Sequence, residues 1–171
     1  MNHLKFRFPV FLLLVICMAS TSCVTKYYLV RHAERLDNSA NSPLSTAGFA
    51  RAIVLCDTLR DKGIDSIFAT NFIRTQQTAQ PTSNLLNEPI QIVNAQQTND
   101  LISALEAIRG KDVLVVGHSN TIPVIVEALS GTSVSLSDDE FDRLFVVTVR
   151  RRLNGTNSRT LQQLHYGVPT P

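Results

Sequence analysis

The chain has 171 residues, of which 44% are hydrophobic, 18% charged and 6% aromatic. That length holds one ordinary domain, and an apolar share this high, with seven Gly and seven Pro, excludes a disordered, collagen-like or coiled-coil chain. The formal charge of +2 comes entirely from one end: residues 1–22 carry Lys5 and Arg7 and no acid, which leaves 14 basic and 14 acidic residues beyond them, so no global field would gather nucleic acid or an anionic membrane.

Met1–Phe8 is short and basic, Val10–Met18 is an unbroken apolar run, and the small residues Ala19-Ser20-Thr21-Ser22-Cys23 follow. This is the three-part pattern of an export signal. A run this short cannot cross roughly 30 Å of hydrocarbon, which takes about 20 residues, so no transmembrane span is expected. Residues 1–22 are read as a signal peptide and 23–171 as the domain. Two cleavages fit. Ser20-Thr21-Ser22-Cys23 resembles a lipobox, with Ser20 where an aliphatic residue is usual, and would make Cys23 a lipidated N-terminus. Ordinary cleavage near Ala19 or Ser22 would leave Cys23 a free thiol. Either way the domain is expected to work outside the bacterial cytoplasm, periplasmic or held at a membrane by lipid. Three cysteines without CxxC spacing point to neither a disulfide scaffold nor a metal site.

Strands and helices then alternate. Tyr27–Val30 is an apolar strand that ends abruptly in Arg31-His32. Thr46 to about Lys62 reads as a helix with Phe49, Ala52, Ile53, Cys56 and Leu59 on one stripe and Gly63 at its end. Ile64–Ala69 is a second strand, Asn71–Gln80 a helix stopped by Pro81, and Pro89–Val93 a third strand. A helix over Asp100–Arg109 ends at Gly110. Val113–Val116 is wholly apolar, as a strand covered on both faces must be. Ile122, Ile125, Val126 and Leu129 form a helical stripe, with Pro123 in the first turn. Leu144–Val149 and Arg159–His165 flank the hairpin signal Asn154-Gly155. Such alternation predicts an α/β domain: a three-layer sandwich with a mostly parallel sheet and helices on both faces.

Ligands of open α/β sheets bind beyond the carboxyl ends of strands. The first strand delivers Arg31-His32-Ala33-Glu34, the second Thr70 with Arg74 one helical turn on, and the fourth Gly117-His118. Two guanidinium groups and two imidazoles repel one another, so their convergence makes sense around a polyanion such as phosphate, whose oxygens match Arg forks. No GxxxxGK or GxGxxG nucleotide loop is present.

Arg31-His32-Ala33-Glu34 after a strand resembles the RHG/RHAE signature of the histidine phosphatase superfamily, the phosphoglycerate mutase-like group. Thr70 through Arg74 to Thr78-Ala79 is similar to its second phosphate-binding segment, with Thr70 where Ser is usual, and Gly117-His118 to its second-histidine motif. The resemblance spans roughly Tyr27–Val149. It implies a phosphoglycerate mutase-like fold and a metal-independent, cofactor-free phosphatase acting on a small phosphorylated substrate. His32 would be the nucleophile that forms a phosphohistidine, and Arg31, Arg74 and His118 would hold the phosphoryl oxygens. Arg31 beside His32 should disfavour the imidazolium.

The family's proton donor is an Asp or Glu between the second Arg and the second His, which leaves Glu88, Asp100, Glu106 and Asp112. Asp100 is favoured because it opens a helix on the expected side, although a helix-start carboxylate also satisfies free amides. Glu34 would orient His32 or Arg31 or act as a second acid. Three other readings stay open: a phosphohistidine phosphatase, a mutase-type phosphotransferase, and a non-catalytic phosphate-ligand binder on the same scaffold. The short stretch between Arg74 and His118 favours hydrolysis over mutase action. Specificity is expected from loops around Asp37–Ser45, Asn94–Asn99 and Gly131–Glu140, with Asp138-Asp139-Glu140 read as a solvated acidic turn.

Overall fold

The computed structural model describes residues 23–152 and 155–170; the signal segment 1–22 and Asn154 of the hairpin signal lie outside the described residues. In chain order the elements are β1 (Cys23–Arg31), α1 (Thr46–Leu59), β2 (Ile64–Thr70), α2 (Ile73–Leu86), β3 (Ile90–Val93), α3 (Thr98–Ala107), β4 (Asp112–Gly117), α4 (Ile122–Ser130), β5 (Arg143–Arg151) and β6 (Asn157–His165). The sheet runs β3-β2-β4-β1-β5-β6. β1 to β4 are parallel, and β5 and β6 add an antiparallel hairpin on the β1 side.

Successive strand residues point to opposite faces, and here both faces are covered. Tyr27 and Leu29 of β1, Val113 and Val115 of β4, and Phe145 and Val147 of β5 pack with Leu101 and Leu105 of α3 and the Ile122–Leu129 stripe of α4. Their neighbours Tyr28, Val30, Leu114, Val116, Leu144 and Val146 pack with Leu55 and Leu59 of α1 and Ala79 of α2. The result is the three-layer α/β sandwich expected of the pattern, with α3 and α4 on one side and α1 and α2 on the other.

Two helices depart from expectation. α2 does not stop at Pro81 but runs on to Leu86. Pro81 has no N–H to return to the preceding turn; burial of Thr75, Thr78, Ala79, Thr82 and Ser83 along one face holds the helix together across that loss. The inward stripe of α1 is also rotated: Gly48, Arg51, Ala52, Leu55, Cys56 and Leu59 are buried, whereas Phe49 and Ile53 are 44% and 56% exposed. Gly48 causes the rotation. It lies flat against the backbone of Glu34, where an added Cβ would stand 2.2 Å from the Glu34 carbonyl oxygen, so this face alone can approach so closely.

Candidate active site

β2, β4 and β1 are parallel neighbours, so their carboxyl ends share one edge of the sheet. Pairing continues one step past the strands, where the His32 amide donates to the Gly117 carbonyl at 2.9 Å. The next turn is tight. The His118 amide donates to Thr121 Oγ1 at 2.9 Å, and a Cβ on Gly117 would sit 2.8 Å from that same oxygen, so the turn that aims His118 requires glycine. Ala33 is buried without strain, since Asn87 is the one non-glycine residue with positive φ among the described residues. Its amide donates to Thr78 Oγ1 at 3.0 Å, and that hydroxyl donates to the Arg74 carbonyl at 2.7 Å. Thr78 thereby fastens the segment after β1 to the helix that carries Arg74.

The structure brings Arg31, His32, Arg74 and His118 together. The two imidazoles lie edge to face with centroids 5.4 Å apart. His32 Nδ1 is 2.8 Å from the Ala33 carbonyl. A carbonyl only accepts, so Nδ1 carries the hydrogen and the Nε2 lone pair is left for chemistry. Burial, with Arg31, Arg74 and His118 adding to it against the Ala33 bond, pushes His32 down to about 3. Burial followed by Arg74 and Arg31 pushes His118 down to about 4. Both rings are therefore neutral at pH 7. The effect of Arg31 on His32 has the expected direction, but loss of water is the larger cause.

Each guanidinium is half-committed. Arg31 Nη1 donates to the Ser137 carbonyl at 2.9 Å, and Nη2 lies 3.7 Å from the Asp138 carboxylate. Arg74 Nη1 donates to the Ala40 carbonyl at 3.0 Å. The Nε of each is buried and has no hydrogen-bond partner. Among the described residues the one carboxylate within ion-pair distance of either guanidinium is the exposed Asp138, so the pair reads as a seat for an anion. An open cleft of about 320 Å³ adjoins, walled by Phe72, Arg74, Gln96, His118, Asn120 and Thr121.

Three members of the site were not singled out from sequence. Phe141 lies 4.3 Å beneath the Arg31 guanidinium and 6.1 Å from the His32 ring. Phe72 does the same for the other pair, 4.4 Å from Arg74 and 5.1 Å from His118. Nothing in residue type separates these phenylalanines from core ones. Arg35 is exposed, and its charge acts on both Arg31 and Arg74; its place in the Arg31–Arg35 run was the available signal.

Neither acid candidate joins the group. Glu34 is tied to α1, with its Oε1 2.7 Å from Arg51 Nη2 and 2.9 Å from Arg51 Nε. Asp100 is exposed in the first turn of α3, where its carboxylate accepts from the Gln97 side chain at 3.1 Å. The carboxylate that meets the site's cations is Asp138, 89% exposed and bonded at 2.5 Å by the Ser119 hydroxyl. Among the described residues no group of three or more His, Cys, Asp or Glu is placed to hold a metal ion.

Residues 27–101 match the family model of the histidine phosphatase superfamily, branch 1. That stretch contains Arg31, His32 and Arg74, and the fold adds His118 from beyond it. No curated protein matches the chain. Among solved structures, the protein histidine phosphatase SixA complexed with tungstate is 18% identical, with a TM-score of 0.60 over 82% of this chain and 96% of that one. A mycobacterial glucosyl-3-phosphoglycerate phosphatase is 10% identical, with a TM-score of 0.65 over 84% and 99%. A phosphoserine phosphatase from Entamoeba histolytica in complex with 3-phosphoglyceric acid is 12% identical, with a TM-score of 0.59 over 84% and 98%. At these identities the likeness establishes a shared fold. Over residues 27–101 the chain is similar to the histidine phosphatase superfamily, branch 1.

Proposed function

We propose that the protein is a phosphatase that hydrolyses a phosphomonoester through a phosphohistidine on His32, and that it does so outside the cytoplasm. The observation that carries this reading is the convergence of Arg31, Arg74 and His118 on a buried histidine whose Nε2 lone pair is free. A pure anion-binding site has no use for a neutral nucleophile among its cations. Nε2 attacks phosphorus, an N–P bond forms, and the ester P–O bond breaks with its electron pair leaving on the substrate oxygen. Water then attacks the phosphohistidine, giving inorganic phosphate and restoring Nε2. Arg31, Arg74 and His118 stabilise the charge on the phosphoryl oxygens, so in this route positive charge comes from side chains and no metal is called for. Residues 1–22 supply the export signal, and Cys23 is the residue a lipid would modify.

A second reading draws on the partners of the two acid candidates, Arg51 for Glu34 and Gln97 for Asp100. A phosphorylated imidazole, protonated on its far nitrogen, leaves as a neutral ring and needs no acid in the pocket. A phosphohistidine substrate therefore suits this site as well as an ester does.

Single-turnover labelling with a ³²P-phosphomonoester tests the proposal. Wild-type protein is expected to carry acid-labile, base-stable phosphate, insensitive to EDTA. His32→Ala should lack the label and lose turnover by roughly three orders of magnitude or more. Hydrolysis without His32-dependent label would overturn the nucleophile. Faster single-turnover decay of a phosphohistidine peptide than of any ester would select the second reading.

A further inference from the structure

Which nitrogen of His118 faces the anion depends on its tautomer. The answer lies in two buried hydroxyls behind it. Thr70 Oγ1 is 2.9 Å from His118 Nε2 and 2.9 Å from Thr75 Oγ1. Thr75 Oγ1 is in turn 3.0 Å from the Thr70 carbonyl and 2.8 Å from the Phe72 carbonyl. All three side chains are buried.

The direction of this chain is determined by its end. Both carbonyls can only accept, so the single Thr75 proton points to them and Thr75 Oγ1 offers lone pairs to Thr70. Thr70 must then donate its proton to Thr75, and its own oxygen turns lone pairs toward His118. A bare Nε2 there would face lone pair against lone pair, so Nε2 carries the hydrogen. The neutral ring therefore has a bare Nδ1, which is the atom 3.5 Å from Arg74 Nη2.

We propose that Thr70 and Thr75 are positioning residues that hold His118 in the Nε2–H tautomer and so make Nδ1 the nitrogen that takes up a proton when an anion binds. The consequence for catalysis rests on the phosphatase reading; the tautomer does not. In the free site the groups facing His118 are Arg74 from α2, and Arg31 and His32 from the end of β1. Two are cations, and they oppose a charge on the ring until a phosphate offsets them. A phosphoryl oxygen arriving beside Nδ1 meets a lone pair unless a proton comes too, from solvent or from the monoanion itself. Once that proton is on Nδ1, both ring nitrogens donate, one to the phosphoryl oxygen and one to Thr70. Phosphate binding should accordingly take up a proton on Nδ1 or accept the monoanion in preference to the dianion.

The test is ¹⁵N-histidine NMR of the domain at neutral pH, with the His118 resonances assigned by their loss in His118→Gln. Ligand-free wild type is expected to show a protonated Nε2 and a bare Nδ1, and inorganic phosphate should protonate Nδ1. Thr70→Val removes the acceptor; it should lose the single tautomer and weaken phosphate binding about tenfold, while Thr70→Ser should restore both. A protonated Nδ1 in ligand-free wild type, or the same tautomer in folded Thr70→Val, would overturn the proposal. Should Thr70→Val fail to fold, the wild-type tautomer decides the matter alone. The expected tautomer in a protein without turnover would sink the phosphatase reading and leave this assignment standing, and turnover with the opposite tautomer would do the reverse.

Discussion

His32 and His118 are 3% and 8% exposed, and burial is the first cause that lowers both, to about 3 and about 4. This couples folding to pH in a definite direction. In the unfolded chain both rings titrate near the ordinary value of about 6.5. Below that value the unfolded state binds protons that the folded state refuses, so stability is full above about pH 6.5 and falls as pH drops toward 4. Each histidine contributes up to a tenfold loss in the folding constant per pH unit in that window. The midpoint for urea unfolding should therefore decline between pH 7 and pH 5 in wild type and decline about half as steeply in His118→Gln. A midpoint that is flat over that range in wild type would mean that the rings are not buried as neutral species. The same depression bears on rate: the nucleophile stays neutral well below pH 6, so titration of His32 should place no acid limb in kcat/KM near pH 6.

At the scale of elements, the segment between α4 and β5 is both wall and competitor. It places Phe141 under Arg31 and sets the Asp138 carboxylate 3.7 Å from the same guanidinium, with Ser119 holding Asp138 from the turn after β4. A phosphate must share Arg31 with that carboxylate. Asp138→Asn should consequently tighten competitive inhibition by inorganic phosphate a few-fold at low salt, with the gain vanishing at high salt, because exposed ion pairs are weak and screened. Unchanged or weaker inhibition by phosphate would remove Asp138 from this role. The acidic turn was legible in the sequence only as a solvated surface, since its approach to Arg31 depends on how the chain returns after α4. The strand ends were legible because an apolar run such as Val113–Val116 breaks directly into Gly117-His118. The face of α1 was not. Its apolar residues fill two sides of the helix, and the choice between them was made by Gly48 meeting Glu34, a contact outside the helix. Pro81 misled for a related reason: local chemistry favours a stop there, and packing of the α2 face overrides it. Phe72 and Phe141 were beyond reach because only the fold brings them beneath the two arginines.

For the whole molecule, the sheet separates Cys23 from the chemistry. β1 is nine residues long, beginning at Cys23 and ending at Arg31. At about 3.3 Å per residue its two ends are roughly 26 Å apart. A lipid on Cys23 would therefore sit at the edge of the sheet opposite the carboxyl ends that carry His32, Arg74 and His118, and the pocket would face away from the membrane surface. Among the described residues no helix is long and apolar enough to cross a membrane. Two results are expected of the protein purified from its native envelope. Mass spectrometry of the N-terminal peptide should find an acylated Cys23. Protein bound to vesicles through that lipid should hydrolyse a soluble aryl phosphate with the same kcat/KM as the domain beginning at residue 23 without lipid. A free Cys23 thiol in a chain whose N-terminus lies just after Ala19 or Ser22 would establish ordinary cleavage. An acylated Cys23 with kcat/KM depressed at least several-fold on vesicles would instead mean that the bilayer covers the pocket, and the opposite-edge geometry would be wrong.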